Sequence, residues 1–215
     1  MNRIEKFLIV VGLAVLVIGA LIIRHQDAGY LAFQKGDYRT AHTEFSKLAE
    51  QGDPWGTHYT GLMHGIFLLG SINQTKAAKY YLAGARLGNV RSAILYIDLL
   101  RRSKRLNQYC TLYADFVDKA VQTHNPYALV LKAQQLISGR CVQKDIITGV
   151  HFFKWAGEVK PQIGDHYSNS FESLSDSQKQ QFEALKIERP PAISEQSFLE
   201  FFLAKQEQFG LIKFD

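Results

Sequence analysis

Residues 52–89 read GDPWGTHYTGLMHGIFLLGSINQTKAAKYYLAGARLGN, and the pattern that opens there keeps returning as far as Pro161. Asp53, Asn89 and Asn125 are 36 residues apart, and the next place in the series is Pro161. Phe45, Tyr81, Val117 and Phe153 keep the same spacing, as do Ala49, Ala85, Val121 and Gly157. A fixed period in the thirties, with one large apolar column and one small column, is the mark of a helical solenoid. A two-helix hairpin of this size cannot bury its apolar faces alone, so each hairpin needs a neighbour to stack against. The small column lets helices approach, and the aromatic column fills the space between repeats.

Lys76-Ala77-Ala78-Lys79-Tyr80-Tyr81, then Gly84-Ala85 and Gly88-Asn89, resembles the second helix and exit turn of a Sel1-like repeat. Gly61, Met63 and Asn73 sit where that family places such residues, and Phe45, Lys47-Leu48-Ala49-Glu50 and Gly52-Asp53 form a second partial match. The repeats after Asn89 keep the spacing and lose much of the signature. The Gly-Val turn usual before the second helix is replaced by Leu69-Gly70. The resemblance covers roughly residues 30–160. It implies an all-α fold related to tetratricopeptide repeats, used as a binding scaffold for protein partners.

The turn chemistry supports the same frame. Gly52-Asp53-Pro54 supplies a glycine past a helix end, a capping Asp and a proline at the first helical position. Gly88-Asn89 and Asn125-Pro126 repeat that chemistry. The spacing predicts helices over 27–35, 38–51, 54–69, 74–87, 90–103, 106–123, 126–138 and 144–159, paired as hairpins by short loops. Past Pro161 the period is lost, and Gln162–Ser173 reads as a polar connector. Ser175-Asp176-Ser177-Gln178 has the form of a capping box that opens a helix to about Ile187. Ser194 caps a last helix to Gln208, rich in phenylalanine at Phe198, Phe201, Phe202 and Phe209. That helix reads either as a cover for the open end of the solenoid or as a docking face for a partner.

Phe7–Ile23 is an unbroken uncharged run, FLIVVGLAVLVIGALII, with Arg3 and Lys6 before it and Arg24 after. It is a little short for a typical hydrocarbon core, and the flanking long side chains snorkel to make up the difference. No small-x-small cleavage site follows it, which favours an uncleaved signal anchor over a removed secretory signal. The flanking cations lean only slightly towards a cytoplasmic N-terminus. The expected organisation is a transmembrane anchor over 1–27, a solenoid of about four helix-turn-helix repeats over 28–161 and a two-helix C-terminal cap over 162–215.

The formal net charge is +5, and the positive residues are spread along the chain. The densest run, Arg101-Arg102-Ser103-Lys104-Arg105, falls at a predicted helix end, where cations favour the negative dipole. The basic-plus-aromatic motifs of common nucleic-acid modules are absent, so no nucleic-acid partner is expected. The two cysteines, Cys110 and Cys141, fall on the same edge of the repeat frame about one repeat apart. A disulfide between them fits that frame and would place the solenoid on the non-cytosolic side of the membrane, in a bacterial periplasm. Two unpaired thiols in a cytosolic domain are the alternative.

Seven histidines (His25, His42, His58, His64, His124, His151 and His166) carry no metal-ligand spacing, and His58 and His64 fall on different faces of one helix. Zinc, phosphate-loop and Gly-x-Ser-x-Gly patterns are missing, so no cofactor, metal or small-molecule substrate is expected. The function that follows is non-catalytic: an accessory or assembly subunit of an inner-membrane complex of the secretion, pilus, flagellar or polymer-export type, with other envelope proteins as partners. A periplasmic regulator that restrains a membrane signalling protein is the first alternative, and a small hydrolase hidden in the groove is the second. On successive first helices Tyr59, Leu95 and Leu131 share one position, and His58, Ile94 and Val130 share its neighbour. The sequence does not fix which column faces the groove, and the partner-binding residues stay unassigned.

Overall fold

The computed structural model describes residues 28–103 and 106–209. Every regular element among them is a helix. The α-helices are α1 (28–34), α2 (Tyr38–Glu50), α3 (Pro54–Gly65), α4 (Gln74–Arg86), α5 (Val90–Arg102) and α6 (Cys110–Val121). They continue as α7 (Pro126–Ser138), α8 (Ile146–Val159), α9 (Gly164–Glu172), α10 (Asp176–Ala184) and α11 (Glu195–Phe209), with 3-10 turns at Leu106–Tyr109 and Pro161–Ile163. The predicted span Phe7–Ile23 lies outside the described residues. Among the described residues no helix is long and apolar enough to cross a membrane.

The chain divides after Asn89 into two compact units. The first contains α1 to α4, with α3 packed between α2 and α4. Its core joins Ala32 of α1 to Ala41, Phe45 and Leu48 of α2 and Met63 of α3. The second contains α5 to α11. There α6 packs on α5 and α7, α7 on α8, α9 and α10 on α8, and α11 on α5 and α6.

Helix starts follow the 36-residue period in two series. On first helices, Asp53 accepts from Gly56 N at 2.6 Å and Asn125 from Tyr127 N at 3.0 Å. On second helices the caps are Asp37, Asn73 and Asp145, which accept from Thr40 N, Lys76 N and Thr148 N at 3.1, 2.9 and 3.0 Å. The place between Asn73 and Asp145 is Tyr109, which makes no side-chain cap. A 3-10 turn leads into that helix, and the next residue, Cys110, is bonded to Cys141. The left-handed exit turns keep the period too: Gly52 at φ 77°, Gly88 at 91° and His124 at 54°. A histidine in that region costs more than glycine. Its Nε2 meets the Pro190 carbonyl at 2.9 Å, which holds it there.

The aromatic column is buried throughout: Phe45, Tyr81, Val117 and Phe153 are each at most 5% exposed. The tightest approach lies in a different small column, Gly56, Ser92 and Ala128, all buried. A Cβ on Gly56 would stand 2.4 Å from Leu48 Cβ and 2.7 Å from the Ala49 nitrogen. Of the small column expected from sequence, Ala85 and Val121 are buried while Ala49 and Gly157 are half-exposed.

Three expectations are corrected. α3 stops at Gly65 instead of running to 69, because Ile66 turns extended (φ −129°, ψ 160°) and Asn73 N donates to the His64 carbonyl, folding the chain back into α4. The helix expected over 106–123 opens as a 3-10 turn and is α-helical over Cys110–Val121. The stretch read as a polar connector, 162–173, is mostly the helix α9, entered through the 3-10 turn Pro161–Ile163. Its Tyr167 and Phe171 pack with Phe182 of α10 against Val150 of α8, so the C-terminal region holds three helices where two were expected. The capping box at Ser175 and Gln178 forms, with both reciprocal hydrogen bonds. Ser194 Oγ accepts from Ser197 N at 3.0 Å at the start of α11.

Candidate functional site

The first-helix columns do not resolve alike on all three helices. In α3 and α5, His58 and Ile94 are buried while Tyr59 and Leu95 are half-buried. In α7 the order reverses: Leu131 is buried and Val130 half-buried, because α7 buries the row Ala128, Leu131 and Gln135. The column read from sequence therefore holds over two helices and slips by one residue on the third.

In the first unit Tyr59 is the hub of an aromatic face. Its ring stacks on Phe45 at 4.5 Å and meets Tyr30 edge-on at 6.2 Å and Phe33 at 5.8 Å. Trp55, one turn earlier, lies 6.3 Å from Tyr59 and edge-on to His58 at 5.8 Å. Tyr30 and Trp55 remain 46% and 40% exposed, so this face presents apolar rings to solvent.

His58 and His64 are indeed turned to different surroundings, yet His64 is not alone. Its Nε2 stands 3.4 Å from Nε2 of His42 across the α2–α3 hairpin, and its ring stacks on Tyr80 at 5.7 Å. Burial pushes both imidazoles below the ordinary histidine range, helped by the charge of Lys76 on each and, for His64, by that of His42. One ring must accept from the other through an unprotonated nitrogen, so the bond exists only while at least one ring is neutral. Nothing in the 22-residue separation announces this pair; the hairpin creates it. In the second unit, burial likewise lowers the His151 imidazole, which stacks on Phe182 at 3.9 Å.

A cleft of about 290 Å³ opens in the second unit, lined by Arg101, Gln134, Ile137, Ser138, Arg140, Phe153 and Ser170. Asp98, 7% exposed, accepts from Arg101 Nε at 2.8 Å and also from Arg102. Arg140 Nη1 donates to the Arg101 carbonyl at 3.0 Å. Burial pushes the Tyr113 hydroxyl up to about 12; it is fully buried, has no hydrogen-bond partner among the described residues, and also senses the charges of Arg101, Asp98 and Arg140. Next to Arg140, Cys141 takes a left-handed φ of 62° and is bonded to Cys110, as the repeat frame led one to expect.

The basic run thus has a local role where it is described: Arg101 and Arg102 converge on one carboxylate at the end of α5, and Lys104 and Arg105 lie outside the described residues. Among the described residues no group of three His, Cys, Asp or Glu is placed to hold a metal ion.

No family model matches the chain. No curated protein matches it either. Among solved structures the chain is similar to a protective antigen present in uropathogenic Escherichia coli strains, described as displaying an SLR fold. The two are 16% identical, with a TM-score of 0.41, over 89% of this chain and 49% of that one. The chain spans about half the length of that structure.

Proposed function

We propose that the chain is a non-catalytic, membrane-anchored interaction scaffold, an accessory or assembly subunit of a bacterial inner-membrane and periplasmic complex. In this reading its hairpins stack as Sel1-like repeats, and residues 7–23 tether them so that the partner is met at raised local concentration. The observation that carries it is the aromatic face of the first unit. Rigid aromatic rings left partly exposed are the groups that interfaces enrich, because they bring large contact area at small entropic cost. Tyr30 and Trp55 are held there by Tyr59, whose own ring is fixed on Phe45. The Cys110–Cys141 bond supports an oxidising compartment for the folded part, as the periplasm provides.

Photo-crosslinking in native membranes tests this. A crosslinking side chain at Trp55 is expected to give one dominant protein adduct, and the same group at exposed Lys79 on α4 is expected to give none. Equal labelling from both positions, or adducts with lipid alone, would rule out the scaffold reading.

A further inference from the structure

The cleft of the second unit carries a charge imbalance that the fold does not resolve. Arg101 and Arg140 both line the cleft, and the Asp98 carboxylate beside Arg101 is already shared between Arg101 and Arg102. Among the described residues Arg140 meets only the Arg101 carbonyl. A guanidinium has five N–H donors in a fork suited to carboxylate, so Arg140 retains most of its capacity. Such a cation at a cleft wall is satisfied by water or by an incoming anion.

The remaining walls say which anion. Ile137 and Phe153 make the lining partly apolar, and Gln134, Ser138 and Ser170 supply amide and hydroxyl groups. At about 290 Å³ the cleft is larger than a lone inorganic anion needs and lies at the lower end of small-molecule sites. It suits an acidic side chain together with one apolar neighbour. A nucleic acid fits poorly, because it asks for exposed stacking rings. Phe153 is 5% exposed, and its ring is already stacked on His166 at 5.6 Å. The backbone that presents Arg140 is tied down at the next residue by the Cys110–Cys141 bond, which lowers the ordering cost of binding.

We propose that this cleft is an anchor pocket for an acidic peptide segment of a partner protein: an Asp or Glu side chain pairs with Arg140 at the Arg101–Arg102–Asp98 cluster, and an adjacent apolar side chain lies against Ile137 and Phe153. It rests on the interaction-scaffold reading and adds to it a second contact, in the second unit and with its own chemistry.

The test uses the full chain, purified in detergent, on an array of short random-sequence peptides. Peptides with Asp or Glu beside Leu, Ile or Phe are expected to be enriched among those bound. Arg140→Glu should weaken them by about tenfold or more, while Arg140→Lys keeps part of the binding. Arg140 is exposed, so helix content and the disulfide should survive both changes; Ser170→Trp, which fills the cleft, is the second variant and should abolish the same signal. Inorganic phosphate should displace the peptides no better than chloride of equal ionic strength. Bound peptides without acidic enrichment, equal binding by Arg140→Glu, or full displacement by phosphate would overturn the proposal. If the wild-type chain and Arg140→Glu retain the same partner in native membranes, the scaffold stands and the pocket fails. If the wild-type chain retains none, the scaffold itself fails.

Discussion

At Gly56 a single hydrogen atom separates a fit from a clash. The site packs α3 against α2 so closely that a Cβ would overlap Leu48 Cβ and the backbone nitrogen of Ala49. Backbone cannot swing aside as a flexible side chain can, so Gly56→Ala should cost about 1–3 kcal/mol through overpacking, read as a lower urea midpoint. The His42–His64 pair makes a second prediction at this scale. Both folded-state values lie below the ordinary histidine value, so in the acid range the unfolded chain binds protons that the folded chain refuses. Stability is therefore full above about pH 6.5 and falls as pH drops through that value towards the lowered folded ones. Replacing both rings, His42→Gln with His64→Gln, should flatten the acid side of a melting-temperature profile, with His151 and the carboxylates leaving a residual slope. An unchanged slope would show that the pair does not titrate as its burial requires. Neither Gly56 nor the histidine pair stood out in the sequence. Gly56 reads as one glycine among sixteen, and the histidines meet only once the hairpin closes.

Elements were legible where the period and the turn chemistry agreed. Gly52-Asp53-Pro54 and Asn125-Pro126 announced two first-helix starts, and both caps form. The second-helix series Asp37, Asn73 and Asp145 was harder to see, because its third member is Tyr109. That helix begins without a cap and is pinned instead by Cys110 to Cys141, 31 residues on. Reducing the bond should then cost roughly 3–4 kcal/mol by loop-closure entropy, and amides at the start of α6 should be the first to lose hydrogen-exchange protection. Loss of protection first in α8 would contradict this, since Asp145 still caps it. α9 escaped the sequence reading for a plain reason. Its polar residues and Gly164 resemble a loop, and what gives it a packed face is Tyr167 and Phe171, half-buried against Val150 of α8 and Phe182 of α10.

Across the whole molecule, the all-helical plan was readable from spacing alone, but where α11 goes was not. Its phenylalanines were ambiguous between cover and docking surface. Phe198 and Phe202 are fully buried, and Phe202 lies edge-on to Tyr96 at 5.7 Å and 5.1 Å from Phe116. Those contacts place α11 on α5 and α6, and the Ile193 N to Gln122 carbonyl bond at 3.0 Å guides the chain there. Phe202→Ala should cost about 3–5 kcal/mol and lower the melting temperature of the second unit. A neutral result would mean that α11 is a detachable arm. The scaffold reading is tested most directly by gentle detergent extraction of the tagged chain from native membranes, followed by quantitative mass spectrometry of what stays bound. A small set of envelope proteins is expected in fixed ratio to the chain, with Cys110 and Cys141 closed to thiol reagents until reduced. A chain that comes out alone, with both thiols free, would contradict it.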